Sequence, residues 1–131
     1  MSNETFHILI MDRNPHVRDF LTREFRRLGF TARTAKDEQD VAEVMRSERP
    51  AHLVVFDPEA PGVLKEPLFA KLTSEHPAVP IVVHMFSADN ADQTVYRQAA
   101  AVVEKDGSIE SLVQAVIKVL AQRYSKNSTA H

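Results

Sequence analysis

The chain has no cysteine, only three glycines and no long apolar run. Without cysteine it can form no disulfide, no thiolate metal site and no thiol nucleophile. Its three glycines cannot supply a P-loop or a dinucleotide fingerprint, which weakens any assignment as a nucleotide- or flavin-binding protein. No apolar stretch approaches the roughly 18 residues that a membrane helix needs, and the first residues do not resemble a signal peptide. These absences fit a cytoplasmic protein without a membrane partner.

The charge balance argues against direct nucleic-acid binding. Sixteen Lys and Arg residues against 18 Asp and Glu residues give a net charge of −2 at pH 7. A surface of mixed sign offers no basic patch to a phosphate backbone. The six histidines show no helical i, i+4 pairing, so a zinc site is not expected. The hydrophobic share of 44% and the charged share of 26% are typical of one globular domain.

Short apolar runs alternate with helical patterns along nearly the whole chain. Five of these runs predict strands, at 7–11, 30–34, 51–56, 79–86 and 100–104. The first helix is predicted to begin at Asn14, with Pro15 in its first turn, and to stop at Gly29. A short fourth helix is predicted over 90–99, and the last helix from near Ser108.

Alternating strands and helices predict an α/β fold in which helices cover both faces of a parallel sheet. At this length, right-handed crossovers favour the flavodoxin-like (βα)5 doubly wound order 2-1-3-4-5. The domain is expected to span 5–124, and 125–131 reads as a polar tail, either a natural end or a linker stump. In this topology, sites lie at the carboxyl ends of the strands, where the order reverses between strands one and three.

Three charged residues follow predicted strands at that edge. Asp12 follows the first strand and Asp57 the third, while Lys105 follows the fifth. Lys105 is expected two strands from Asp57, roughly 9–10 Å at about 4.8 Å per strand, a gap that a lysine side chain spans in large part. A carboxylate nucleophile, a cation held by oxygen ligands and an ammonium group suit phosphoryl chemistry.

Three segments together resemble the receiver domain of bacterial two-component response regulators. They are "ILIMDRNPHVRDFL", "HLVVFDPEAPG" and "VVEKDGSIESLVQAV", in the family's order and at the expected strand ends. The resemblance implies that Asp57 is the phosphoacceptor and that Lys105 contacts the phosphoryl group. It also implies a Mg²⁺ site formed by Asp12, Asp57 and the backbone carbonyl of Glu59.

The sequence departs from the family where the signal is normally relayed. Met85 stands where the family has Ser or Thr, and Val102 stands where it has the switch aromatic of the fifth strand. Asp106 replaces the proline that normally follows the lysine, so the usual cis peptide is not expected. The hydroxyl and the aromatic ring that move in typical receivers are therefore both missing.

Arg13 replaces the second acidic residue of the first-strand segment. A guanidinium cannot ligate a cation, and it brings positive charge to the place where Mg²⁺ would sit, so weak Mg²⁺ binding is expected. One hypothesis is that Arg13 pairs with Asp57 or Asp12 and partly replaces the charge of the metal. The alternative is a side chain that swings into solvent.

The resemblance implies a phosphorelay receiver that accepts a phosphoryl group on Asp57 from a histidine kinase or phosphotransfer protein. It would act as a switch for a downstream partner or output domain, not as a turnover enzyme. The alternative is a degenerate receiver that serves as a phosphorylation-independent docking module. By family analogy, partner binding or homodimerisation would use the last two strand–helix units. A third interpretation is a small enzyme or flavin-binding protein on the same fold.

Overall fold

One parallel sheet forms the centre of the protein, whose computed structural model describes residues 5–59, 65–86, 96–105 and 108–124. The strands of the described part are β1 His7–Met11, β2 Thr31–Thr34, β3 Leu53–Phe56, β4 Ile81–Met85 and β5 Ala101–Glu104. They pair in the order β2-β1-β3-β4-β5, with every neighbouring pair parallel. The predicted flavodoxin-like order 2-1-3-4-5 is confirmed.

Each strand after β1 begins one or two residues later than the apolar pattern predicted. Four apolar residues just before these strands pack in the core: Phe30, Ala51, Val79 and Ala100. The N–H of Ala100 still bonds to β4, donating to Ile81 O at 2.8 Å. For Phe30, the backbone N–H instead donates to Phe25 O at 3.0 Å and closes the preceding helix. The buried apolar run at each of these strands is therefore longer than the strand itself.

The helices of the described residues are α1 Pro15–Arg27, α2 Glu38–Arg46, α3 Lys65–Glu75 and α4 Ile109–Tyr124. As predicted, Asn14 caps α1, accepting a hydrogen bond from His16 N at 2.8 Å, and Gly29 follows the helix with φ of 99°. The helix predicted over 90–99 lies mostly outside the described residues, as does the tail 125–131. None of the described helices is long and apolar enough to cross a membrane.

Helices cover the sheet on both faces, so its central strands are buried on both sides. Ile8 and Ile10 of β1 belong to one core, while Leu9 and Met11 belong to the other, because successive side chains of a strand point to opposite faces. The first core includes buried residues of α1 and α4: Leu21, Phe25, Leu112, Val113 and Val116. The second includes buried residues of α2 and α3: Val41, Val44, Leu68, Phe69 and Leu72.

An aromatic cluster joins the end of α4 to the amino-terminal edge of the sheet. The Tyr124 hydroxyl donates to His52 O at 2.7 Å, and the two rings meet edge to face with centroids 5.4 Å apart. Phe6 lies against both rings, with centroid distances of 5.2 Å to His52 and 5.3 Å to Tyr124. This cluster connects residues far apart in sequence.

Replacing Tyr124 by Phe should lower the free energy of unfolding by about 1 kcal/mol, because the His52 carbonyl loses its donor. Tyr124→Leu should cost more, since it also removes the ring contacts. Urea unfolding at pH 7 measures both. Gln122→Ala, on the exposed side of the same helical turn, serves as the control and should change stability by less than about 0.5 kcal/mol. Equal stability of Tyr124→Phe and the wild type would contradict the assignment.

Candidate functional site

The carboxyl ends of β1, β3 and β5 bring Asp12, Asp57 and Lys105 together. Backbone pairing continues one residue past these strands: Asp57 N donates to Met11 O at 3.0 Å, and Lys105 N donates to Met85 O at 2.7 Å. The side chains are therefore held at fixed places beyond the strand ends. Asp12 is 2% exposed and Asp57 is 0% exposed, so both carboxylates lie in the interior.

Lys105 crosses the end of β4 and contacts both carboxylates. Its Nζ lies 2.9 Å from Asp57 Oδ2 and 3.0 Å from Asp12 Oδ2, and its side chain is only 6% exposed. The contact with Asp57 is a hydrogen bond, whereas the contact with Asp12 is an ion pair without hydrogen-bond geometry. The predicted convergence of the three residues is observed. Their roles as phosphoacceptor, metal ligand and phosphoryl-contacting lysine remain predictions.

Arg13 binds Asp57 through both its backbone and its side chain. Its N–H donates to Asp57 Oδ2 at 2.8 Å, its Nε donates to the same oxygen at 3.1 Å, and its Nη2 donates to Oδ1 at 3.0 Å. This two-pronged geometry is the one in which guanidinium binds carboxylate best. We call the Arg13–Asp57 pair the clamp. Of the two alternatives for Arg13, pairing with a carboxylate is the one observed.

The acceptor capacity of Asp57 is fully used. Glu59 N donates to Oδ1 at 2.9 Å, which brings the hydrogen bonds from described residues to five. A carboxylate has about four lone-pair sites, so every acceptor direction is occupied. Burial alone would raise the pKa of Asp57. The hydrogen bonds from Arg13, Glu59 and Lys105 outweigh that effect and hold the pKa below its ordinary value.

The clamp and its neighbours form a cluster whose formal charges cancel. Asp12 and Asp57 carry the negative charges, and Arg13 and Lys105 carry the positive ones. A buried charge is tolerated only with a partner, because removal from water costs several kcal/mol per ion. Asp12 is held further by Asn14 N, which donates to its Oδ1 at 2.8 Å. Among the described residues, the formal charges of these four side chains therefore sum to zero.

Solved structures provide the comparison that identifies the fold. NtrX from Brucella abortus matches 97% of this chain with a TM-score of 0.82 and 21% identity, although the match covers only 29% of the NtrX chain. The response regulator TrrA from Thermotoga maritima, solved with Mg²⁺-BeF, matches 88% of this chain and 100% of its own, with a TM-score of 0.76 and 23% identity.

TrrA in its complex with the histidine kinase ThkA gives a TM-score of 0.75 at 21% identity, over 88% of this chain and 99% of that one. The chain has the receiver fold. No family model and no curated protein matches the sequence. At these identities the likeness is one of backbone architecture, and the chemistry of the site has to be argued from its own residues.

The residues that depart from the usual receiver pattern are placed as follows. Met85 ends β4 and is 2% exposed, and it carries a thioether where the resemblance predicts a hydroxyl. Val102, in β5, is 39% exposed and carries no ring. Asp106 lies outside the described residues. Met85 and Val102 therefore cannot relay a signal through the movement of a hydroxyl group and an aromatic ring.

Two residues near the site, His84 and Phe86, were given no role by the sequence pattern. His84 is 2% exposed, and its Nδ1 lies 3.8 Å from Asp12 Oδ2 without a hydrogen-bond partner in the described part of the chain. Phe86 follows β4 and lies over the cationic groups of Arg13 and Lys105. The signal for His84 was an ionisable residue inside an otherwise apolar strand.

TrrA was solved with Mg²⁺-BeF, but the clamped residues of this chain do not fit that ion. Mg²⁺ requires oxygen ligands in near-octahedral geometry, whereas the oxygens of Asp57 already accept N–H groups. The guanidinium also places a positive charge beside the carboxylate that would bind the ion. Among the described residues no group of three acidic or histidine side chains could hold a metal. A cation would have to displace Arg13.

Replacing Arg13 by Asp should strengthen Mg²⁺ binding about tenfold or more. The substitution removes a guanidinium that competes with the ion and adds a carboxylate that can ligate it. Isothermal titration of each variant with MgCl₂ measures the change. Arg23→Asp makes the same change of charge at an exposed position of α1 and should bind like the wild type. If Arg13→Asp and the wild type bind Mg²⁺ equally, Arg13 does not guard the site.

The lowered pKa of Asp57 predicts an acid-dependent contribution to stability. The pKa of Asp57 in the folded protein lies below its value in the unfolded chain, which is about 3.9. Ionised Asp57 therefore contributes its full stabilisation at pH values above about 3.9. This stabilisation is lost as the pH falls through the folded-state pKa. The stability difference between wild type and Asp57→Asn, measured by urea unfolding, should therefore be largest near neutral pH and shrink below about pH 4.

The exposed Asp19→Asn is the control for this measurement, since it removes a carboxylate of the same kind from the surface of α1. It should leave the acid dependence close to that of the wild type. A stability difference between wild type and Asp57→Asn that stays constant from pH 7 to pH 3 would show that the clamp does not depend on ionised Asp57.

Proposed function

We propose that this protein is a receiver-type signalling module that acts by binding a protein partner while Arg13 holds Asp57 unphosphorylated. The observation that carries the proposal is the clamp, in which Nε and Nη2 of Arg13 bind both oxygens of Asp57. The protein is a switch or docking module in this proposal, not a turnover enzyme, and its setting is cytoplasmic.

The chemistry of phosphoryl acceptance supports this choice. A carboxylate oxygen attacks phosphorus with a lone pair, and a divalent cation normally offsets the negative charge that accumulates. Five N–H groups donate hydrogen bonds to the oxygens of Asp57. Asp57 is also 0% exposed, so a phosphodonor in solution cannot reach it in this state. Met85 supplies no hydroxyl to the phosphoryl group. The clamped state therefore disfavours the reaction at three separate points.

The same clamp would balance the charge of the site with side chains of the protein itself. In a receiver with an acidic pair in place of Arg13, several carboxylates would repel one another until a cation bound. Here Arg13 and Lys105 already balance Asp12 and Asp57, so the site needs no ion to be stable. Mg²⁺ binding at Asp12, Asp57 and the Glu59 carbonyl is then weak, and it requires release of Arg13.

The partner class follows from the fold. TrrA, a protein of the same fold, has been solved in complex with a histidine kinase. We infer that this chain recognises a histidine kinase, a phosphotransfer protein, or a downstream protein or output domain. The last two strand–helix units, which include β4, β5 and α4, are the proposed surface for such a partner or for a homodimer.

A second candidate function is phosphorelay through Asp57, and the retained lysine favours it. Lys105 Nζ contacts Asp57 and Asp12 at about the distances at which an ammonium group would hold a phosphoryl group. The Arg13 side chain is 32% exposed, so its head has a path into solvent. A kinase that draws Arg13 away would open Asp57 to Mg²⁺ and a phosphodonor.

Acetyl phosphate with Mg²⁺ separates the two functions by intact mass. In the reaction, an Asp57 oxygen bonds to phosphorus as the acetate oxygen leaves, so the protein gains one phosphoryl group. We expect no mass gain in the wild type and a gain in Arg13→Asp, because the substitution frees both oxygens and adds a metal ligand. The double variant Arg13→Asp/Asp57→Asn should gain nothing, which assigns the label to Asp57.

Stoichiometric labelling of the wild type on Asp57 would contradict the docking proposal and support phosphorelay. Circular dichroism of each variant shows whether its fold is retained. Arg23→Asp, labelled no more than the wild type, excludes a general effect of the charge change on α1.

A further inference from the structure

Phe86 lies over both cations that bind Asp57. Its ring centroid is 5.5 Å from Arg13 Cζ and 5.4 Å from Lys105 Nζ, while the residue remains 41% exposed. An aromatic face attracts cations at this range through its quadrupole. The ring therefore contacts the two side chains that neutralise Asp57.

A cavity of about 140 Å³ lies beside the ring. Its wall includes Arg13, Lys105 and His84, together with the apolar side chains of Val17 and Ile109. A dry cavity of about 150 Å³ is large enough to hold benzene in another protein, so a phenyl ring fits a space of this size. Phe86 itself lines this cavity, so its ring lies next to a space of about its own size.

The backbone just before Phe86 is held in the sheet. Met85, the residue before it, accepts Lys105 N at 2.7 Å and pairs with Glu104 in the sheet. Arg13 is similarly held by its own N–H on Asp57 Oδ2, while its guanidinium is partly exposed. The head of Arg13 and the ring of Phe86 contact each other.

We propose that Phe86 is a positioning residue of the clamp, whose ring holds Arg13 on Asp57 and moves from the surface into the adjacent cavity when Arg13 releases. The inference rests on the proposed function, since it explains how the state of Asp57 reaches a partner. An aromatic ring that is 41% exposed contributes apolar surface beside β4 and β5, and its withdrawal changes what a partner contacts. Val102 cannot do this, because an aliphatic side chain does not respond to a cation.

The Arg13 Nε–H signal in a ¹H–¹⁵N spectrum tests the positioning role. Phe86→Leu removes the cation–π contact, so Arg13 should dissociate from Asp57 more often. Its Nε proton should then exchange with solvent about two- to fivefold faster than in the wild type. Phe86→Tyr keeps the ring and should restore the wild-type rate. Phe20→Leu is the matched control, because Phe20 is 40% exposed and belongs to α1.

The ring signals of Phe86 test its movement. Assigned by comparison with Phe86→Leu, they should shift in Arg13→Gln, and a soluble paramagnetic probe should relax them less than in the wild type. The Phe20 ring should keep its shift and its relaxation. Unchanged Nε exchange in Phe86→Leu, or an equal effect in Phe20→Leu, would overturn the positioning role. A Phe86 ring equally exposed in Arg13→Gln would overturn the movement into the cavity.

These measurements use neither Mg²⁺ nor a phosphodonor, so their outcome does not depend on whether the proposed function is correct. Labelling of wild-type Asp57 by acetyl phosphate would contradict the docking proposal while leaving the coupling of Phe86 to Arg13 in place. Failure of the spectroscopic tests would remove Phe86 as the route to the surface while leaving the clamp intact.

Discussion

A carboxylate with no exposure to water must find its counter-charges within the protein, and Asp57 imposes this constraint on the whole carboxyl edge of the sheet. The cost of burial is several kcal/mol for an isolated ion, more than a domain of this size can absorb without compensation. Lys105 arrives from β5, the Glu59 N–H from the following turn, and Arg13 from the end of β1. Three separate segments of the chain are thereby fixed around one residue.

The sheet makes this convergence possible. Parallel strands end at the same edge, and the reversal of order between β1 and β3 leaves the space between their ends uncovered by a crossover helix. The central strands β1, β3 and β4 are buried on both faces and are therefore largely apolar, which confines their charged residues to the strand ends. His84 is the exception inside β4, and it lies on the side of the charge cluster, near Asp12.

The fold and the meeting of Asp12, Asp57 and Lys105 were predictable, because strand order alone determines which strand ends are neighbours. The pairing of Arg13 was only one of two alternatives. Periodicity does not say whether a long side chain just beyond a strand turns inward or into solvent. Phe86 was missed for the same reason, since its place depends on where the two cations lie. The helix expected over 90–99 lies mostly outside the described residues and stays a prediction.

Arg13 differs from a metal ion in being covalently attached to the chain. A free ion occupies its site according to its concentration, and a chelator or dilution can remove it. A side chain held by its own backbone at 2.8 Å from the carboxylate competes at an effective concentration that neither treatment lowers. The charge balance of this site is thus set by the covalent chain, and a dissolved ion can change it only by competing with a tethered group.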